Sequence, residues 1–455
     1  MRLAPSVLAV LILAACGGGV VRSPDIPPVA GRFATTVLPP MQRFADAGGG
    51  PSRRSNDEIA QDFLDLSFRL ETGRPLVAFS RFDGPMTLRM QGAVPATARR
   101  DLDQLMERLR SEAGLPVTLA QGSAPAAITI EFLPRRKLQA RARDAACFVA
   151  PRVSSWAEYR RAGRAQLDWT DDTRRTQAAI FIPSDTSPQE VRDCLHEELA
   201  QTLGPLNDLF RLPDSIFNDD NMVGVLTGFD MLILRATYAP DLSPGMSEAE
   251  VAARLPAILA RLNPGGAFVG SPVPPTPRAY GDAIARALGP DSSPPRRRAG
   301  AEEALALSQP WQDGRTAFAW LTLGRVAGRG EGEMARAAFG NASALYHARG
   351  LPLHAAHADL QLAMFLLTQG DWQSAVDLCD EALGPARAGR NASLLAGLLM
   401  VKAVAMERMG ATDAAARVRL DSLGWARYGM TSDAEVRRRL TLIDALANEA
   451  GKPNP

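Results

Sequence analysis

The sequence predicts a two-part chain: an α+β domain with helices packed on a mixed sheet, then an all-α domain of helical repeats. Three observations predict it. In the first half, segments with helical spacing alternate with short β-branched runs. From about residue 301 the composition shifts to Ala, Leu, Arg and Gly, and every segment reads as helix. In that second half Gly330, Gly370 and Gly410 recur at one fixed spacing. Ala335, Ala375 and Ala415 share it, and Ala342, Ala382 and Ser422 follow in register.

At 455 residues the chain has room for two or three domains. A hydrophobic content of 46% with 22% charged residues is globular. The net charge of +1 offers no field for nucleic acid or an acidic substrate, so no nucleic-acid partner is expected. The Arg152–Arg164 and Arg296–Arg298 clusters are local and read as solvated surface or linker.

The chain opens on a targeting segment. Arg2 supplies a positive start, and the apolar run Val7 to Ala15 is too short to span a bilayer. Leu13-Ala14-Ala15-Cys16-Gly17 resembles a bacterial lipobox. That resemblance implies removal of residues 1–15, a diacylglyceryl group on Cys16, and a protein held to the cell envelope by lipid. Gly17 is not the Asp that keeps such proteins at the inner membrane, which favours the outer one. Residues 16–54, rich in Gly, Pro and Ser, read as a flexible tether.

The first domain is bounded at 55–262. Asn56 to Glu71 has helical spacing, with Ile59, Phe63, Leu66, Phe68 and Leu70 largely on one side. Met86 to Met90 alternates as a strand, and Thr97 to Ala113 is an amphipathic helix. Val117 to Leu119, Ala127 to Leu133 and Ala178 to Ile182 read as strands, and Cys147 to Val149 is a short apolar segment. Ser187-Pro188-Gln189-Glu190 is a capping box with Pro at the first helical position, and Gly204-Pro205 ends the helix that follows, so 188–203 is helical. Thr227 to Tyr238 and Ser247 to Leu262 complete the domain as helices. Residues 263–300, with many Pro and Gly, read as a linker.

Cys147 and Cys194 share this domain, and an oxidising envelope predicts a disulfide between them, worth roughly 3–4 kcal/mol in the chain-entropy model. Two buried free thiols are the alternative. Cys379 lies among Ala and Leu on a helix and reads as a small core residue.

In the 301–455 region, Gly370-Asp371-Trp372 through Ala375, then Ala382-Leu383, resembles a tetratricopeptide repeat of somewhat long period. That resemblance implies stacked helix pairs with a concave surface for an envelope protein or peptide. His354 and His357, three apart, with His347 nearby, read as surface histidines because no Cys or acidic ligand set accompanies them.

The chemistry concentrates in Cys194 to Asn207 and Ser215 to Asp220. A zinc-protease helix places His-Glu-x-x-His on one face, because residues i and i+4 are neighbours there. Two registers can be laid on this helix. Starting at His196-Glu197, the second histidine falls on Ala200, which cannot ligate. Starting at Glu197-Glu198, the series Glu197, Glu198, Gln201, Gly204 and Asn207 fills every position of the longer metzincin pattern. At about 100° per residue, Val191, Leu195, Leu199, Thr202 and Leu203 form a buried stripe. Glu197, Glu198 and Gln201 gather opposite it, and His196 points elsewhere.

Asp214-Ser215-Ile216-Phe217 resembles a Met-turn with Phe217 in the Met position, and Leu226 to Tyr238 resembles the closing metzincin helix. The resemblance implies a zincin-like fold over roughly 55–245, with Glu198 as the general-base position and Glu197, Gln201 and Asn207 as positional equivalents of the metal ligands. An all-oxygen set suits a hard ion such as calcium, aided by Asp219, Asp220 or waters, better than zinc, or holds no ion at all. Asp208 and His196 are further cleft candidates. The Asn207-Asp208 and Asn218-Asp219-Asp220 groups read equally as turn-formers.

Cys194 to Gln201, Leu203 to Asp208 and Ser215 to Asp220, with Asp62-Phe63-Leu64, Thr72-Gly73 and Cys147-Phe148-Val149, resemble the domain of unknown function 2927 family of bacterial envelope proteins. The family implies location and domain limits but no activity. Three readings stand: a binding module for a peptide, protein or cell-wall ligand; an atypical metallohydrolase using Glu198; and an envelope scaffold.

Overall fold

Ser55 and Glu58 cap each other reciprocally and start α1 (Asn56–Ser67). The computed structural model describes residues 32–450 apart from 46–48, 123, 144, 291, 329 and 449. The lipobox around Cys16 lies outside the described residues. The chain divides into two units, residues 44–276 and residues 277 onward, the latter joined by the segment ending at Arg43.

In the α+β unit, α1 is followed by β1 (Thr87–Gly92), α2 (Ala98–Ala113), β2 (Thr118–Leu119), β3 (Ile128–Leu133), α3 (Arg135–Gln139), β4 (Phe148–Pro151), α4 (Trp156–Tyr159), β5 (Ala178–Pro183), α5 (Pro188–Leu203), α6 (Gly228–Thr237) and α7 (Glu248–Leu262). The strands form a mixed sheet in the order β2-β1-β3-β5-β4, parallel except for β4 against β5. The two-residue period of a strand divides its side chains between two cores. Ile128, Ile130, Phe132, Ile180 and Ile182 enter the larger one, with Leu102, Leu105 and Leu109 of α2 and the apolar stripe of α5. Ala179 and Phe181 face the other way, onto Leu138, Val153 and Trp156.

Helix α5 runs from 188 to 203, as its punctuation predicts. Ser187 accepts from the Glu190 N–H, and Pro188 occupies the first turn. The expected box is half made: the Glu190 carboxylate binds Arg135 and the Thr186 hydroxyl instead. Val191, Leu195, Leu199, Thr202 and Leu203 are fully buried. At its other end the carbonyls that a helix leaves unpaired are met by side chains. The buried Arg175 guanidinium donates to the carbonyls of Gln201, Thr202 and Gly204, and the Tyr238 hydroxyl donates to that of Leu203. A cation there also complements the negative end of the helix dipole. Burial draws Arg175 down to about 10, still charged at neutral pH.

The helical unit holds α8 (Arg278–Leu288), α9 (Pro294–Ser308), α10 (Gly314–Arg325), α11 (Gly332–Ala348), α12 (Pro352–Gln369), α13 (Trp372–Ala388), α14 (Ala392–Arg408), α15 (Thr412–Gly429) and α16 (Asp433–Ala447). From α11 to α15, successive helices pack on one another in chain order. A residue with positive φ stands in each turn: Gly330 at 84°, Gly350 at 66°, Gly370 at 78°, Arg390 at 52° and Gly410 at 83°. The turns thus recur at half the spacing read from the glycines alone. Arg390 hides one of them, because a non-glycine residue occupies the left-handed region there. Ala335, Ala375, Ala415, Ala342, Ala382 and Ser422 are all buried, as small residues at helix crossings should be.

Three expectations are corrected here. The 263–300 linker contains α8 and the start of α9. Pro294 stands in the first turn of α9, where its missing N–H leaves no bond unmade. Arg297 donates to the carbonyls of Gly289 and Ser292 after α8. The 16–54 tether is packed where its residues 32–43 are described. Arg32 pairs with Glu407 and Asp444, Phe33 is buried beneath Arg32 and Arg419, and Arg427 and Arg437 donate to the carbonyls of Pro39 and Thr36. Composition showed the Pro and Gly of this segment but not the arginines that meet its backbone. Finally, His354 and His357 are buried rather than on the surface, because α12 packs between its neighbours on several sides. Only His347 stays half exposed, 3.2 Å from Asp359. Cys379 is a free, buried core residue, as expected. Among the described residues no helix is long and apolar enough to cross a membrane.

Candidate functional site

Cys147, just before β4, and Cys194 on α5 form a disulfide, with their Cα atoms 6.0 Å apart. It ties the antiparallel edge of the sheet to the middle of α5. One turn further on, Glu197 and Glu198 present their carboxylates beside it. A carboxylate oxygen of each, and the Cys147 sulfur, lie within 4.8 Å of one another. That sulfur is oxidised, so it offers no thiolate for a metal.

The segments after α5 complete the cleft. Asn207 folds the chain back: its Nδ2 donates to the Asp65 carbonyl at 2.9 Å, and its Oδ1 accepts from the Asp208 N–H at 3.1 Å. Asp208 is thereby aimed toward α5, where the Gln201 Nε2 donates to its Oδ2 at 2.9 Å. In the next loop Asn218 and Asp220 shape a tight turn: Asn218 Oδ1 accepts from the Asp220 N–H, and Asp220 Oδ1 from the Met222 N–H. Asn221, with φ of 55°, closes that turn. Asp219 is left to face the cluster. The Ser215-Ile216-Phe217 segment is fixed beneath. Asp230, in the capping box of α6, accepts from the Ser215 hydroxyl and the Ile216 N–H, and Phe217 is fully buried.

The electrostatics are those of crowded carboxylates. Burial first, then Glu71, Asp219 and Asp193, push Glu197 up to about 8. Burial, then Glu197 and Glu71, hold Glu198 well above the carboxylate range. Asp208 is raised well above its range by burial and then by Glu71, Asp219, Glu197 and Glu198. Asp219 rises to about 7 through burial, then Glu71 and Asp220. Glu71, exposed at the rim, is raised by desolvation, and a hydrogen bond with Asp208 opposes the shift. No described Arg, Lys or His pairs with any of these five. Glu198 Oε2 and Asp208 Oδ1 are buried without a hydrogen-bond partner.

Residues 56–257 match the family model described as "Protein of unknown function (DUF2927)". No curated protein and no solved structure matches the chain. The DUF2927 region includes every element that builds the cleft, from α1 to most of α7.

Within that region the structure brings together Glu197, Glu198, Asp208 and Asp219 from the sequence-derived set. Gln201 reaches the group through its amide on Asp208 at 2.9 Å. Asn207 and Asp220 shape loops instead. His196 is buried on α5 and its Nδ1 accepts from the Leu226 N–H at 3.1 Å. A nitrogen that accepts a backbone N–H is not available to a metal. Zinc therefore does not fit this cleft: its preferred nitrogen and sulfur donors are absent or withdrawn. Glu71 was not foreseen. It follows α1, far from α5 in sequence, and no local spacing marks it. Gly73, at φ 77°, turns the chain just after it, which marks a turn but not what faces it.

Proposed function

We propose that this chain is a lipid-anchored cell-envelope protein, outer-membrane in location, built as a binding module on a zincin-like frame. Its DUF2927 region takes a peptide, protein or cell-wall ligand in the acidic cleft beside α5, without zinc hydrolysis. Its tetratricopeptide-like helices recruit an envelope protein or peptide. The observation that carries the reading is the rewriting of the metal frame. His196 is held by Leu226 and Asn207 by Asp65, and the cleft keeps only the Gln201 amide, bonded to Asp208, among carboxylates. An antiparallel edge strand on an otherwise parallel sheet, with α5 behind it, supports the zincin-like part. Turns repeating along α11 to α15 support the repeat part.

One observation favours a second reading, an atypical metallohydrolase. Glu198 is buried with an unpartnered Oε2 and an elevated proton affinity, the property of a general acid or base. Co-sedimentation of the detergent-solubilised protein with isolated cell walls, with analysis of the supernatant, separates the two. Binding with no released fragments, and no gain in release for the wild type over Glu198→Gln, is the expected result. Soluble fragments that disappear in Glu198→Gln would establish the hydrolase. Neither binding nor release would remove the cell wall as ligand. Labelling with a radioactive fatty acid, lost in Cys16→Ala, tests the anchor.

A further inference from the structure

We infer that the Glu197–Glu198 pair, with Glu71, Asp208 and Asp219 around it, forms a binding site for one hard divalent cation of the calcium class. This deepens the reading of the cleft as a binding site and rests on it.

Four separate parts of the DUF2927 region supply the five side chains: the turn after α1, one face of α5, and the two loops that follow α5. Like charges gathered from distant segments repel unless something between them compensates. Several acidic residues elsewhere in this unit are compensated by arginines. Asp62 and Asp65 receive Arg211, Asp62 and Asp214 receive Arg54, and Glu190 receives Arg135. The five cleft residues receive no described cation.

The independent pointer to a ligand is Glu198. Its side chain is 4% exposed, its Oε2 has no partner, and its carboxylate lies within 4.8 Å of that of Glu197. Asp208 repeats the pattern with its buried Oδ1 unpartnered. Burying such oxygens without a partner costs several kcal/mol, and a cation held by the Glu197–Glu198 pair removes that cost at Glu198. The fold also orients the donors: the Gln201 amide fixes one oxygen of Asp208 and leaves the other bare. The turn built by Asn218 and Asp220 presents Asp219 without using its carboxylate.

The donor set decides the class of ion. All five donors are carboxylates, which suit hard cations, and the one nearby sulfur is locked in the disulfide. Asp208, Asp219 and Glu71 sit on loops and can adjust. Calcium takes six to eight oxygen ligands with such freedom, whereas magnesium demands a near-ideal octahedron.

The test is calorimetric titration of the detergent-solubilised full-length protein, stripped with a chelator, using calcium, magnesium and zinc chlorides separately. Calcium is expected to bind at about one per chain and to raise the melting temperature. Asp219→Asn and Glu198→Gln should each weaken it at least about tenfold. Asp219 lies on a loop and is partly exposed, so its variant folds even if Glu198→Gln does not. No heat and no thermal shift with calcium would overturn the site, as would zinc binding tighter than calcium at one per chain. Repeating the cell-wall sedimentation with and without calcium separates this inference from the ligand reading. Calcium binding with no cell-wall binding leaves the site standing and removes that ligand. Cell-wall binding with no calcium heat overturns the site alone.

Discussion

The Leu226 N–H donates to Nδ1 of His196 across 3.1 Å, and that bond makes the most conspicuous residue of the motif helix a structural one. It joins α5 to the start of α6 and fixes the imidazole in the neutral tautomer that carries its proton on Nε2. Replacing His196 with Ala should cost about 1–3 kcal/mol, the penalty for a buried N–H left unsatisfied. Calcium affinity should stay within about threefold of wild type, because a shift under 1 kcal/mol is all that a residue outside the site should transmit. Chemical denaturation and calcium titration on the same variant check both parts.

Arg175 is the second residue on which α5 depends. It places one guanidinium on three carbonyls at the helix end, with Trp169 stacked against its other side. Arg175→Met should destabilise by several kcal/mol, since it leaves those acceptors buried and unpaired. Arg175→Lys keeps the charge but loses the fork, and should recover only part of the loss. Hydrogen exchange should show the damage concentrated in the last turn of α5 and the loop carrying Asp208.

The disulfide closes a sequence separation of 47 residues. Its removal in Cys147→Ser with Cys194→Ser should cost roughly 4 kcal/mol on chain-entropy grounds. Because it also anchors α5 to the sheet edge beside Glu197, calcium affinity should fall with it. Thermal unfolding of oxidised protein and of the double variant, each with and without calcium, measures the two effects.

His357 gives the helical unit a pH dependence. Burial, then the nearby Arg325 and His354, draw its pKa from 6.5 down to about 3, and its Nε2 has no partner. The folded state keeps the ring neutral while the unfolded state protonates near 6.5. Stability is therefore complete above pH 6.5 and declines as pH falls toward 3. The slope from this one group is at most about 1.4 kcal/mol per pH unit. His357→Gln should flatten the acid limb of the melting curve between pH 6 and 4 relative to wild type. Curves of equal slope would show that the ring protonates in the folded state.

Much of this fold was legible because its signals are local. Ser187 and Pro188 start α5, Gly204 ends it, and the apolar stripe from Val191 to Leu203 says which side is inward. The pairing of Cys147 with Cys194 followed from their shared domain. The site was legible only along α5. Helix faces placed Glu197 and Glu198 on the cleft and removed His196. Counting along the metzincin pattern chose Asn207, whereas the chain uses Asn207 to turn and presents its neighbour Asp208. Glu71 depends on how the end of α1 meets α5, a tertiary contact with no trace in either segment. The buried His354 and His357 were misplaced for a similar reason: a helix packed on several sides buries polar positions that its own periodicity would leave outside.

Elemental analysis by plasma mass spectrometry is the decisive measurement of the cation site. The protein would be purified without chelator from a calcium-containing medium and desalted. About one calcium per chain is expected, with zinc at trace level, and loss of that calcium in Asp219→Asn. One zinc per chain, or no hard divalent ion retained by the wild type, would contradict it.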